Sequence, residues 1–194
     1  MKNYKKIRDE VYKIVEEAAY SPRNKFTAAW KHHILPVTRH SLTLGKKMKA
    51  DLKVLELAAL LHDYASILDP SFVKNHHVHG ARLAGEVLKK LKVSPEKVKV
   101  IQNCIMSHRG SIKSERKSIE EKILASADAM SHFTELASMF YLAYGVHKLK
   151  TKEGAQWLKG KLERSWAKIM PEGKDMVRKD YLVAMKILRK ALER

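Results

Sequence analysis

Apolar residues recur at the three- and four-residue spacing of an α-helix along nearly the whole chain of 194 residues. In the first segment Ile7, Val11, Ile14 and Ala18 follow this spacing, and no segment shows the convincing alternation of apolar and polar residues that indicates a β-strand. The pattern predicts an all-α bundle. Helices are predicted at 4–18, 34–48, 52–65, 76–91, 95–107, 118–133, 135–149, 152–169 and 173–192.

The interruptions between these segments are short, and none is low in complexity, so the chain is interpreted as one domain. Its N-terminal helix, within 1–27, is expected to pack on a core formed by 28–149. Residues 150–194 are expected to add a basic, amphipathic helical extension of the same domain, without obvious chemistry of its own.

The formal net charge is +18, from 39 Lys and Arg against 21 Asp and Glu. This charge favours anionic partners such as phosphates, nucleotides or nucleic acid, although lysines spread over every segment also fit an evenly basic surface. No segment approaches the roughly 20 apolar residues of a membrane span, and Cys104 has no partner cysteine in the chain. The sequence therefore predicts a cytoplasmic protein without membrane contact, while a homodimer stays open.

A histidine followed by an aspartate, His62-Asp63, interrupts the apolar stretch that begins at Leu52. Burying an imidazole and a carboxylate there costs several kcal/mol or so unless the two groups are hydrogen-bonded or bound to a metal. Two further candidates lie far away in sequence, His33 upstream and Asp128 inside a second apolar helical stretch. Two histidines and two aspartates suit a six-coordinate Mn, Fe, Co, Ni or Mg ion better than a closed zinc site.

These residues, with the segment Ala127-Asp128-Ala129-Met130, resemble the H…HD…D signature of the HD superfamily of metal-dependent phosphohydrolases over residues 28–133. The subgroup most similar is that of small stand-alone HD proteins acting on nucleotides. The resemblance implies an HD-domain helical bundle in which one divalent metal is held by His33, His62, Asp63 and Asp128. In bimetallic members two more histidines hold a second ion bridged by the HD aspartate, and His76 and His108 are the candidates here. Otherwise these two would hydrogen-bond or protonate a phosphate.

The chain departs from the family pattern at three places. Pro36 follows His33 by three residues, so it must begin the helix or kink it. Tyr64 stands where an isoleucine is often found, and Ser126 stands where the family often has a carboxylate. His32 and His40 compete with His33, but His33 keeps the family register. Trp30 is the tryptophan weighed for stacking on a base.

The function expected is hydrolysis of a phosphate ester or anhydride, on a nucleotide or a similar small phosphorylated metabolite, by water that the metal acidifies. Asp63 would orient or deprotonate this water, and His108 and Arg109 would neutralise charge on the phosphoryl group. Phosphate binding is assigned to Arg109 first, then to Lys113 and Lys74.

Two alternatives remain. One is a di-iron oxygenase on the same scaffold, with a six-ligand H…HD…H…H…D set. The other is a non-catalytic nucleotide or nucleic-acid binding protein, which would use the basic C-terminal helices. The residues considered for that binding are Lys159, Lys161, Arg164, Lys168, Arg178 and Arg189.

Overall fold

The computed structural model describes residues 1, 3–26, 28–110 and 115–193. The described residues form ten α-helices and no β-strand, which confirms the all-α prediction. The helices are α1 (Tyr4–Ala19), α2 (Leu35–Lys47), α3 (Leu52–Leu61), α4 (Tyr64–Leu68), α5 (His76–Lys90), α6 (Pro95–Ser107), α7 (Ile119–Thr134), α8 (Leu136–Phe140), α9 (Thr151–Lys168) and α10 (Pro171–Leu192). Two π-helical turns, Trp30–Ile34 and Tyr141–Val146, and a 3₁₀ segment, Pro70–Asn75, complete the described helical elements.

Helix α7 begins where local chemistry dictates. The Ser118 hydroxyl accepts a hydrogen bond from the backbone N–H of Glu121, and the Glu121 carboxylate accepts one from the Ser118 N–H. This reciprocal capping box satisfies two N–H groups that the first turn of a helix otherwise leaves without partners. It fixes the start of the helix that carries Asp128.

The helix predicted at 52–65 breaks at the His62-Asp63 pair, and a separate helix, α4, starts at Tyr64. The reason is local: the His62 ring nitrogen Nδ1 lies 2.7 Å from the carbonyl oxygen of Ala59. In addition, Asp63 adopts φ −108° and ψ 9°, outside the regular helical region. The helix predicted at 135–149 is likewise shorter, because α8 passes into the second π-helical turn.

The apolar residues form two buried clusters. One joins α1, α3, α5 and α6, and the other joins α7, α9 and α10. Helices α3 and α7 contribute to both: Leu57 and Leu124 lie in the first cluster, Leu55 and Ile123 in the second. The residues of the proposed site on these two helices therefore lie where the clusters meet.

The two C-terminal helices pack against the rest of the domain. Both α9 and α10 contact α7, and α1 contacts α3 and α4 at the other end of the chain. None of the helices among the described residues has the length and hydropathy needed to cross a lipid bilayer.

Candidate metal centre

His33 lies in an irregular turn of helix just before α2. It lies in the π-helical turn Trp30–Ile34, which runs directly into α2, and Pro36 occupies the first turn of α2. Proline is tolerated there because the first N–H groups of a helix need no partner within the helix. Pro36 is thus the second residue of α2, within its first turn. Single π-helical turns like the one that precedes it are frequent at functional sites.

Helix ends position most of the other candidate ligands. His62 follows the last residue of α3, His76 opens α5 and His108 follows the last residue of α6. Asp128 differs, because it lies in the interior of α7. Residues from five separate segments thus converge at one place.

The ligand atoms form two adjoining groups. In the first, His33 Nε2 lies 3.1 Å from His62 Nε2, 3.2 Å from Asp63 Oδ2 and 3.6 Å from Asp128 Oδ1. In the second, His76 Nε2 lies 3.2 Å from His108 Nε2 and 3.5 Å from Asp63 Oδ1. The two carboxylate oxygens of Asp63 therefore face different groups.

Hydrogen bonds to backbone carbonyls determine which ring nitrogen carries the proton in three of these histidines. Nδ1 lies 2.7 Å from the Ala59 oxygen in His62, and 2.6 Å from the Ile105 oxygen in His108. The corresponding distance in His76, to the Val73 oxygen, is 2.9 Å. Because a carbonyl can only accept, each Nδ1 must donate, and each neutral ring keeps a lone pair on Nε2.

The same conclusion holds for His33 by one more step. Its Nδ1 lies 3.1 Å from the Ser131 hydroxyl oxygen, and that hydroxyl donates its single hydrogen to the Asp128 carbonyl at 2.7 Å. His33 Nδ1 must therefore donate to Ser131. Four Nε2 lone pairs then face one another and two carboxylates, an arrangement that fits a cation and is unfavourable without one.

The electrostatics of the two aspartates match this arrangement. Burial alone would raise the pKa of Asp63, but the neighbouring imidazoles of His62 and His76 outweigh burial and hold it well below the usual range. The pKa of Asp128 is lowered in the same way against burial, chiefly by Lys168 and His132. Burial and the nearby His62 lower the pKa of His108 to about 3. His33 differs, because burial lowers its pKa but the hydrogen bond to Asp63 and the charge of Asp63 outweigh burial and raise it. Ionised carboxylates and neutral imidazoles are the forms that bind metal ions, so a bound cation would take the place of the proton on His33.

Helix α9 contributes to the centre, contrary to the expectation that residues 150–194 hold no obvious chemistry. Lys168 Nζ lies 2.5 Å from Asp128 Oδ2 and 3.2 Å from the His108 carbonyl oxygen, and its side chain is only 7% exposed. One oxygen of Asp128 is thereby taken by the ammonium group, which leaves Oδ1 facing His33. The sequence places Lys168 only among the residues considered for nucleic-acid binding, because a lysine among so many gives no local signal of a contact with Asp128.

His132 is a residue that sequence reasoning missed. It lies one helical turn after Asp128, with Nε2 3.8 Å from Asp128 Oδ1. The i,i+4 spacing from Asp128 places both on one helix face, and this was the available signal.

A cavity of about 460 Å³ opens above the two groups of ligand atoms. This volume falls within the range of small-molecule sites. Four cationic side chains line it, three of them on α9: Arg109, Lys161, Arg164 and Lys168. Aromatic side chains form part of the remaining wall: Phe26, Tyr141, His147 and Trp157.

Of the three residues assigned to phosphate binding, Arg109 is the one that the described part of the structure places in the cavity wall. Arg109 lines the cavity, and one of its guanidinium N–H groups donates to the carbonyl oxygen of Lys74. The exposed Lys74 is not among the residues that line the cavity, and Lys113 lies outside the described residues. Trp30 is buried edge-on against Tyr12, with ring centroids 4.6 Å apart, so it is unavailable to a base.

The competing histidines lie elsewhere. His32 pairs with Glu135 at 2.9 Å, and the Nε2 atom of the buried His40 lies 3.1 Å from the Thr134 hydroxyl. Burial and, to a lesser extent, the charge of Arg39 lower the pKa of His40 to about 4. The folded protein therefore holds His40 neutral.

This pKa makes stability depend on pH. An unfolded His40 takes up a proton below a pKa near 6.5, whereas the folded one does so only near 4, so its contribution to stability is complete above pH 6.5 and is lost on acidification towards pH 4. Between pH 6.5 and pH 4, we expect the unfolding free energy of the wild type to fall by roughly 3 kcal/mol more than that of His40→Gln. Urea unfolding of both proteins at several pH values measures this, and parallel profiles would contradict the assignment.

Comparisons with known proteins agree with the geometry. The model of the HD domain matches residues 30–133. Among curated protein sequences, none is significantly similar to the chain. A predicted HD superfamily hydrolase from an uncultured Thermotogales bacterium is similar in structure, with 21% identity, a TM-score of 0.65, and coverage of 95% of this chain and 91% of the other.

Two further solved structures share the fold. The Lin1889 protein of Listeria innocua has 20% identity and a TM-score of 0.72, with coverage of 99% of this chain and 96% of the other. Bacillus subtilis YpgQ in complex with ADP has 19% identity and a TM-score of 0.68, with coverage of 97% and 95%. Since the HD model spans more than half of the residues, including the histidine and aspartate positions described above, the chain belongs to the HD domain family.

Proposed function

We propose that the protein is a metal-dependent phosphohydrolase acting on nucleotides or similar small phosphorylated metabolites. The observation that carries this proposal is the placement of the His and Asp groups beneath a cavity that four cationic side chains line. A divalent ion held by His33, His62, Asp63 and Asp128 would supply a Lewis acid and lower the pKa of bound water from about 16 towards about 7.

Charge balance supports a substrate with several negative charges. Asp63 and Asp128 together offset a single divalent ion, so the charge of Lys168, which pairs with Asp128, is already in excess. The charges of Arg109, Lys161 and Arg164 then remain without an anion at the cavity wall among the described residues. A phosphate or diphosphate group supplies both the charge and the oxygen acceptors that such groups bind.

Each residue has a role that follows from its position. Arg109 would bind a phosphoryl group bidentately and neutralise its charge in the transition state. Asp63, between the two groups of ligand atoms, would orient the attacking water. The low pKa of His108 favours binding to a second metal with His76 and Asp63 over proton donation, because its Nε2 atom stays unprotonated.

The aromatic side chains give the cavity a place for a base. Trp157 and the exposed Tyr141 line the cavity, and the ring centroids of Trp157 and His147 lie 5.0 Å apart. Aromatic rings stack on bases without requiring a particular sequence. The solved complex of YpgQ with ADP supports nucleotide binding by this fold.

The test is a panel of nucleoside mono-, di- and triphosphates and general phosphatase substrates, each with Mn, Co, Ni, Mg and Fe. We expect metal-dependent turnover of at least one nucleotide, with release of phosphate or pyrophosphate that identifies the bond cleaved. Absence of turnover for every substrate and metal, in protein shown to contain metal, would contradict the proposal.

A second candidate is favoured by one observation: the six residues of the di-iron set are brought together, with Asp63 between the two groups. Comparison of the iron content of aerobic and anaerobic preparations, together with oxygen uptake on substrate addition, distinguishes an oxygenase from a hydrolase. The nucleic-acid alternative is less well supported, because three of the six basic residues considered for it, Lys161, Arg164 and Lys168, line the cavity.

A further inference from the structure

His132 points into the candidate metal centre from α7. Its side chain is 9% exposed, and its ring is nearly parallel to that of His33, at an interplanar angle of 4° and a centroid distance of 6.0 Å. Its Nε2 atom lies 3.8 Å from Asp128 Oδ1, and His33 Nε2 lies 3.6 Å from the same oxygen. One ligand atom from each of these three residues lies within 4.8 Å of the other two. Two ligands on opposite sides of one ion are about 4 to 4.4 Å apart, so a small adjustment would let all three bind the same ion.

The protonation of His132 is set by α9. Its Nδ1 lies 2.8 Å from the Ser165 hydroxyl oxygen, and that hydroxyl donates its only hydrogen to the Lys161 carbonyl oxygen at 3.0 Å. His132 must therefore donate through Nδ1 and keep a lone pair on Nε2. No donor among the residues that the structure describes forms a hydrogen bond with this atom.

The lone pair on His132 Nε2 faces Asp128 Oδ1, the oxygen that Lys168 leaves free. Lys168 binds Asp128 through Oδ2, so Oδ1 is the oxygen that faces both His33 and His132. The Ser165–His132 contact is the arrangement by which a hydrogen-bond partner orients a metal-binding imidazole.

We propose that His132 is a fifth protein ligand of the ion held by His33, His62, Asp63 and Asp128. His33 Nε2 has one lone pair and serves one ion, so the group containing His132 and the group containing His62 must share that ion. A six-coordinate ion would then keep one position for solvent in place of two. This proposal rests on the metal site of the proposed function and is independent of its substrate.

The experiment measures metal binding without substrate, by titration of the metal-free protein with Mn²⁺. Replacement of His132 by phenylalanine should weaken binding by more than about 100-fold, beyond the 10- to 100-fold loss typical of a residue that only orients a ligand. The visible spectrum of the Co²⁺-loaded protein, which reports coordination number, should change as well. Ser165→Ala keeps the imidazole and should weaken binding about 10- to 100-fold.

The matched control is His147→Phe, which changes an exposed histidine of the same cavity outside the ligand groups and should bind Mn²⁺ as the wild type does. Wild-type affinity and an unchanged Co²⁺ spectrum in His132→Phe would overturn the proposal, even if hydrolysis were lost. If that variant fails to fold by circular dichroism, unchanged affinity in Ser165→Ala overturns it instead. Absence of hydrolysis in a wild type that binds metal through His132 would refute the proposed function alone.

Discussion

Replacement of Asp63 by alanine is expected to abolish hydrolysis and to remove most of the bound metal. Asp63 is the residue whose two carboxylate oxygens lie within 4 Å of ligand atoms in both groups: Oδ2 faces His33 and His62, and Oδ1 faces His76 and His108. Its loss therefore removes negative charge from both groups at once. Metal content by mass spectrometry and turnover of the best substrate from the nucleotide panel measure the two effects.

The control for this variant is Asp175→Ala, which removes an exposed carboxylate paired only loosely with Arg178 at 3.4 Å. It should leave metal content and turnover unchanged, since exposed pairs of this kind contribute little. Full retention of either metal or activity in Asp63→Ala would refute the assignment of Asp63.

Lys168→Met should destabilise the metal-free protein by about 3–5 kcal/mol, because it leaves the buried Asp128 carboxylate without its cation. The nearly buried ammonium also bonds the His108 carbonyl oxygen, so one substitution removes contacts to two parts of the centre. A bound divalent ion would compensate Asp128, and the destabilisation should then be smaller in the metal-loaded protein. Chemical denaturation with and without Mn²⁺ measures both values.

Lys179→Met is the matched control, since Lys179 lies exposed on α10. It should change neither value by more than a few tenths of a kcal/mol. An equal loss of stability in metal-free and metal-loaded Lys168→Met would show that Lys168 stabilises packing and not the charge of Asp128.

The sequence predicted the helices well where periodicity and capping coincide. Helix α6 has the predicted limits, and α7 starts one residue after the predicted position because Ser118 caps it. The break after α3 was not predicted, since a continuous apolar pattern does not reveal that the His62 ring bonds the Ala59 carbonyl. Such side chain to backbone bonds depend on conformation that periodicity does not encode.

Some residues of the candidate site could be predicted from the sequence, and others could not. The resemblance named His33, His62, Asp63 and Asp128, and the structure brings these residues together. Residues of α9 could not be assigned from the sequence, because their contacts arise from the packing of α9 on α7. The helical spacing of Trp157 favours packing over base stacking, and the position of Trp30 next to His33 favours Trp30; the structure instead buries Trp30 and places Trp157 in the cavity wall.

The contact between Lys168 and Asp128 also bears on the order in which a newly made chain acquires its metal. His33, His62, Asp63 and Asp128 are all synthesised well before residue 168, so during translation they exist for a time without the ammonium group that holds Asp128. A metal ion that binds before α9 is made would therefore meet an Asp128 carboxylate that no lysine ammonium group contacts.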